Sequence, residues 1–311
     1  MFKYLYKRVL FMLPTLLAVV IIVFSIMSMI PGDPGRMELG ISATQEQVDK
    51  FNEQFGLNRS FPVRMLDYIT GIFTRLDFGV SYRGREPVMN TVLSKLPVTF
   101  TVAVFSVIGA LLIGVPMGVL AAIRHARPVE SAVNVIALFL SAIPVFWFGM
   151  TLVYVFSIML PLLPTFGAAT WRGYVLPVIS LAVPGSASFM RLTRVTMLDV
   201  VHQEYIKTAR AKGAPEHSVV WKHAFRNAAL PLVNSAGMMF GSLLGGTVII
   251  ESVFSLPGLG RHLVTAILQR DLPVVMGCTI FLSAVFMVII LAIDISYAAL
   301  DPRVRRRFEG G

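Results

Sequence analysis

Between residues 204 and 231 the chain places Lys207, Arg210, Lys212, Lys222 and Arg226 around the small residues Ala209, Ala211 and Gly213. Small side chains let a second surface approach closely, and the cations supply charge around that contact. Such a set is suited to recognition rather than to bond making. Residues 204–212 contain no helix breaker. Gly213 stops the helix they favour, and Pro215 suits the first turn of a second one running through Val219, Val220 and Phe225 to Arg226. Two short helices at an angle are expected, presenting Tyr205, Thr208, Ala209, Arg210, Ala211, Lys212, Gly213 and Pro215 to a soluble partner. An interfacial helix held to anionic lipid would use the same composition.

The elements that must position this loop are membrane spans. The 311 residues are 56% hydrophobic and 14% charged, with a mean hydropathy of +0.74, and several apolar runs exceed the roughly 18 residues that cross hydrocarbon. A soluble domain is excluded. Hydropathy predicts six spans, at 9–30, 98–123, 132–158, 174–195, 229–250 and 273–300. The first sits behind Lys3, Lys7 and Arg8 like a signal peptide. It is longer than a signal peptide's apolar core and is followed by Pro31-Gly32-Asp33-Pro34 without a small-x-small cleavage pattern, so it reads as a retained anchor. Cys278 is the single cysteine, which excludes an internal disulfide and a cysteine-based metal cluster.

Six spans put both termini on one side, and that side holds 16 of the 27 Lys and Arg residues. It carries a net +10 against +1 opposite, which makes it cytoplasmic. The basic balance of the chain follows from topology, and no nucleic-acid surface is needed to explain it. The third span is interrupted by Pro144, Pro161 and Pro164. Splitting it in two would put the basic 191–228 loop and the basic tail on opposite sides, so it is read as one span with a short outer loop. On the outer side, residues 31–97 read as a small helical subdomain. Thr44-x-x-Gln47 forms a capping box with a stop at Gly56, and residues 61–73 show a second amphipathic pattern. This subdomain is a docking platform, a lid or a structural cap.

Within the membrane, Gly237, Gly241 and Gly245 recur at four-residue spacing. Such a ridge serves close helix packing. Alternatively the fifth span lines a pathway, with Asn234, Met238, Gly241, Ser242 and Gly245 facing it and Ser235 and Thr247 adding polar contacts. Gly114 and Gly118 make a weaker ridge in the second span. Asp294 is an acid inside the sixth span, either a structural partner or a coupling group. Glu251, at the outer end of the fifth, is expected to anchor residues 256–261. The five histidines, His125, His202, His217, His223 and His262, form no cluster suited to nickel. Methionines 150, 159, 190, 238, 239 and 287 are adaptable packing.

The segments Thr208-Ala209-Arg210-Ala211-Lys212-Gly213 and Asn227-Ala228-Ala229-Leu230-Pro231 resemble the EAA loop of ABC importer permeases, in the form used by the dipeptide, oligopeptide and nickel group. Further fragments extend the resemblance over nearly the whole chain. They include Met29-Ile30-Pro31-Gly32-Asp33-Pro34, Leu76-Asp77-Phe78-Gly79-Val80-Ser81, Leu96-Pro97-Val98-Thr99, the run from Gly245 to Glu251, Leu256-Pro257-Gly258-Leu259-Gly260-Arg261, Arg270-Asp271 and Ala299-Leu300-Asp301-Pro302-Arg303. Lys207-Thr208-Ala209 stands where the broader family has Glu-Ala-Ala. The resemblance, which is dipeptide permease B-like, implies an all-α polytopic membrane protein with a type I importer permease fold. It implies residues 1–30 as N-terminus and first helix, 31–97 as periplasmic subdomain, 98–300 as a five-helix core containing the loop 200–231, and 301–311 as a basic cytoplasmic tail.

It also implies a division of labour. A homologous second permease completes a heterodimer in the bacterial inner membrane, two cytoplasmic ATP-binding subunits dock on the loops, and a periplasmic binding protein delivers di- or oligopeptides. This chain would then be non-catalytic and hold no cofactor or metal, with ATP and Mg bound by the partner subunits. The absence of a Gly-x-x-x-x-Gly-Lys-Ser/Thr phosphate loop fits that division. Nickel or another small solute is the alternative cargo. An ion-coupled secondary transporter would instead show paired intramembrane charges and internal repeats.

Overall fold

The computed structural model describes residues 2–300. The expected basic tail at 301–311 lies outside them. Among the described residues the regular secondary structure is all helical, joined by loops, apart from one isolated antiparallel bridge between Val80 and Pro87. Four helices among the described residues are individually long and apolar enough to cross a membrane, over Arg8–Met29, Val88–Ile123, Arg172–Val201 and Leu272–Ser296, and counting each of two bent helix pairs as one span brings the number to six. The protein is an all-α membrane protein.

In chain order, α1 is Phe2–Met29, followed by α2 (Pro34–Leu39), α3 (Gln45–Gln54) and α4 (Phe61–Arg75). Thr44 closes the expected capping box on α3: its Oγ1 accepts from Gln47 N–H, and the Gln47 side chain accepts from Thr44 N–H at 2.9 Å. The second span begins earlier than hydropathy places it, because α5 runs unbroken over Val88–Ile123. Polar residues such as Asn90, Thr91, Ser94 and Lys95 hide its first turns from a hydropathy window without breaking the helix.

The third span is broken into α6 (Pro128–Ala142) and α7 (Val145–Val153), the latter running on as a π-helical turn over Tyr154–Met159, with a 90° bend between the two legs. The residue before a proline is pushed out of the helical region, and Ile143, ahead of Pro144, is extended at φ −72°, ψ 121°. The fourth span, α8 (Arg172–Val201), keeps Pro177 and Pro184 inside a continuous helix. It is followed by α9 (Glu204–Ala211), α10 (Glu216–Ser218), a π-helical turn over Val219–Phe225 and α11 (Arg226–Ala228). A 56° bend separates that stretch from α12 (Leu230–Gly246). Helices α13 (Val248–Val253), α14 (Leu259–Gln269) and α15 (Leu272–Leu300) complete the chain.

Among the described residues the helices group into two compact units, one of residues 2–97 with 258–291, the other of 98–257 with 292–300. In the first unit, Tyr82 meets Phe51 and Phe55 edge to face at 6.0 and 4.9 Å, the two Phe rings are tilted against each other at 4.7 Å, and the Arg85 guanidinium lies 5.0–5.2 Å from the Phe51 and Phe55 ring centres. Burial pushes the Tyr82 hydroxyl up to about 12. The second unit holds several apolar clusters. One joins Val102, Leu152, Leu176, Leu181, Ile250, Phe254 and Leu256. Another joins Val119 and Ala122 of α5 and Met197 of α8 to the loop that follows α8. Gly114 and Gly118 of α5 back directly onto the α8 main chain, so the weaker glycine ridge is a helix-packing contact.

Candidate functional site

The loop after α8 has an inner and an outer face. Ile206 is fully buried and packs with Val219, Val220, Ala224 and Ala228 against Val119, Ala122 and Met197. Ile206 and Ala209, three residues apart, share one side of α9, and that side turns toward the spans. Tyr205, Thr208, Arg210, Ala211, Lys212, Gly213 and Pro215 face outward. Ala209 does not share that face. It is partly buried and packs, with Ala214, against the same apolar cluster, so of the three small residues only Ala211 and Gly213 are open to an approaching surface.

The turn between the two helices is built to hold one shape. Gly213 N–H donates to Arg210 O at 2.9 Å and Ala214 N–H to Ala209 O at 3.2 Å, the two bonds of a Schellman motif, with Ala209 and Ala214 both packed against the apolar cluster. Gly213 has φ +78° and nothing within 4 Å of where a Cβ would stand. The requirement there is conformational, not steric. Across the turn the Arg210 guanidinium grips Glu216 with both ends, Nε to Oε2 at 3.2 Å and Nη2 to Oε1 at 2.7 Å. That hydrogen bonding holds the Glu216 carboxyl below its ordinary value and raises Arg210. Asn227 Nδ2 donates to Tyr205 Oη at 3.1 Å and to His223 O at 2.9 Å, tying the far end of the loop to α9.

Helix α12 presents a different surface. Asn234, Met238, Ser242, Gly245, Gly246 and Ile249 are all exposed and fall on one stripe of the helix, continued into α13. Gly241 is buried beside it. The glycine ridge therefore divides. At Gly237 the Ile293 side chain of α15 occupies the space a Cβ would take, whereas at Gly245 nothing lies within 4 Å. Close packing accounts for the first, while the second sits on the open stripe. Asp294 is half-buried on α15.

Two buried polar knots join motif fragments that are distant in sequence. In the second unit, the fully buried Glu251 accepts from Thr99 Oγ1 at 2.6 Å and from Thr247 Oγ1 at 3.0 Å. Its backbone carbonyl accepts from Leu256 N–H at 2.8 Å, where residues 256–261 begin. In the first unit, Asp271 is buried and accepts from Ser81 Oγ at 2.5 Å and Tyr82 N–H at 3.2 Å. Its neighbour Arg270 reaches the Pro31 carbonyl. Burial, aided by Lys95, lowers the pKa of His262 nearby. A third knot escaped sequence reasoning: Glu130, in the first turn of α6, accepts from Arg194 Nε of α8 at 2.7 Å and from Ala126 N–H at 2.7 Å. The only sequence signals were an acid at a helix start and an arginine at the end of a span, and neither names its partner.

Residues 114–306 match the family described as binding-protein-dependent transport system inner membrane component, and residues 1–103 match its N-terminal counterpart. The glutathione transport system permease protein GsiC of Salmonella choleraesuis (strain SC-B67) and that of Escherichia coli (strain K12) are each 38% identical over 305 residues, 98% of this chain and 99% of theirs. Among solved structures, the inward-facing MetNI methionine ABC transporter in its CY5 native crystal form aligns with a TM-score of 0.59 at 20% identity, over 68% of this chain and 97% of that one. That likeness is one of fold.

Proposed function

The chain belongs to the family of inner-membrane components of binding-protein-dependent transport systems, and from that premise we propose that it forms half of a translocation pathway for short peptides. It is a non-catalytic, multi-pass permease subunit of a bacterial ABC importer. The finer reading pairs it with a homologous second permease and with two ATP-binding subunits that hold ATP and Mg on the cytoplasmic side. A periplasmic protein delivers the cargo. The observation that carries the peptide reading is 38% identity over nearly the full length of both chains to permeases of glutathione, itself a tripeptide. Within that family we read the chain as dipeptide permease B-like.

In this reading α9 and the Lys212–Pro215 turn seat in the ATPase subunits, with Tyr205, Thr208, Arg210, Ala211, Lys212, Gly213 and Pro215 at the contact. The apolar inner face of the loop is fastened to the cytoplasmic ends of α5 and α8 through Val119, Ala122 and Met197. A push on the loop is then passed to those helices as rigid-body motion, because a packed core does not deform continuously. Asn234, Met238, Ser242 and Gly245 line the passage, with Gly241 behind them. Their small or weakly polar side chains offer contacts that a varied peptide backbone can make and leave. Glu251 and Asp294 are positioning groups for α13 and α15.

The test is reconstitution of the complete transporter in proteoliposomes, with ATP hydrolysis and uptake measured against binding protein loaded with glutathione, a dipeptide or nickel. Peptide-loaded protein should stimulate hydrolysis several-fold and drive peptide accumulation, and Gly213→Asp should abolish both. Stimulation by nickel-loaded protein with no response to peptide would transfer the cargo to metal and overturn the peptide reading.

A further inference from the structure

The amphipathic helix α4 has two apolar sectors, and only one is used inside the protein. Met65, Tyr68 and Ile72 turn inward, and the helix packs on α1, with the Phe24 ring 5.7 Å from that of Phe61 and 5.9 Å from that of Tyr68. Beside that contact, Pro62, Leu66, Ile69 and Phe73 recur at intervals of four, three and four, a continuous stripe on one helical face. Leu66 is 57% and Phe73 43% exposed. Thr70, Thr74 and Asp67 lie on the next sector of the helix, beside the stripe and not opposite it, with the exposed Val63 among them. A stripe of this size left open to water would be costly.

Its depth identifies what covers it. Phe24 lies five residues before Met29, the last residue of the membrane-spanning α1, which at 1.5 Å per residue places the α1–α4 contact roughly 7–8 Å below the outer end of that span. This is the depth at which interfacial helices bury their apolar face. On α1 itself, Ile22, Ile26 and Met29 are exposed at the same level, so the α4 stripe continues the lipid-facing surface of the span. Around the helix the order is α1 contact, apolar stripe, then a mostly polar sector that also holds Val63, so the stripe lies between the protein contact and the polar side.

We infer that α4 lies in the headgroup region of the outer leaflet, with Pro62, Leu66, Ile69 and Phe73 inserted among the acyl chains, so that the segment after the first span rests on lipid. This holds whatever the transported cargo. The experiment is nitroxide labelling of Leu66→Cys, Phe73→Cys, Thr70→Cys and Thr74→Cys in the assembled transporter, in nanodiscs of phosphatidylethanolamine and phosphatidylglycerol. The native Cys278 is fully buried and stays in place. Labels at 66 and 73 should collide with oxygen in preference to a water-soluble nickel chelate by about threefold more than labels at 70 and 74, as partition across an interface demands. Equal chelate access at all four positions would overturn the proposal. Shielding of 66 and 73 from both probes would overturn it too, in favour of a protein partner. Should a label disturb folding, Leu66→Trp read against the unlabelled protein in lipids brominated high on the acyl chain gives an independent answer: the added emission is quenched if the stripe is inserted and unaffected if it is not.

Discussion

The loop after α8 and the open stripe of α12 are both exposed, yet they are built on opposite plans. The loop is cross-braced: a Schellman turn, a two-pronged Arg210–Glu216 pair, an Asn227–Tyr205 bond and a buried Ile206 fix its outline before anything touches it. The stripe from Asn234 to Ile249 is a helix face of small, weakly polar and apolar side chains without a charged group, with open space beside Gly245. A docking surface gains from a fixed shape, since ordering it on binding would subtract from affinity. A surface that must release what it touches gains from holding little. Rigidity at one end and smoothness at the other is what a subunit needs if it is pushed at the loop and conducts along the helix.

The contrast breaks most readily at Gly245. Gly245→Trp fills open space on the stripe, so uptake should fall by an order of magnitude or more while ATPase subunits still co-purify. Loss of assembly instead would move Gly245 from the passage to a subunit contact. Next comes Ile206→Ala, which removes a fully buried side chain under the loop and should cost about 2–5 kcal/mol. Thermal unfolding in nanodiscs reads that loss, and hydrolysis should become uncoupled from uptake even though no exposed loop residue has changed.

Thr99→Val tests the knot behind α13. Removing a hydroxyl that donates to a buried carboxylate should cost about 1–3 kcal/mol, seen as a lowered unfolding midpoint, with Thr99→Ser recovering most of it. Gly213→Ala should cost about 1 kcal/mol from the left-handed backbone alone, and titration of ATPase subunits would show a weakened rather than an abolished complex.

The smallest effect belongs to Arg210→Ala. The pair is largely exposed, so about 0.5 kcal/mol or less is expected, with Arg210→Glu combined with Glu216→Arg restoring the loop. Because the folded-state pKa of Glu216 is lowered, the contribution of the pair is complete above the ordinary carboxylate value and disappears as pH falls through the depressed one. A pH-independent difference between wild type and variant in acid would show that the ion pair is not its source.

Features confined to one turn of helix were legible without coordinates. The capping box at Thr44 and Gln47, the stop at Gly213 and the start after Pro215 all depend on groups within four residues of one another, and each is present. The apolar runs were equally plain, because a span must satisfy its backbone internally wherever it lies. The polar starts of α5 and the sharpness of the break at Pro144 were not, since hydropathy registers composition and not direction.

The amino-acid sequence by itself therefore determined that this chain crosses a membrane repeatedly, where its helices stop, and that a basic loop stands between the fourth and fifth spans. Only the tertiary structure decided which fragments meet. Ser81 finds Asp271 across 190 residues and Thr99 finds Glu251 across 152, Glu130 takes Arg194, and Ala209 turns inward while Ala211 stays outside. Local order is written in interactions that close short loops at small entropic cost. Pairings across the chain are chosen by packing, which weighs every helix face at once and leaves no mark on any single stretch of residues.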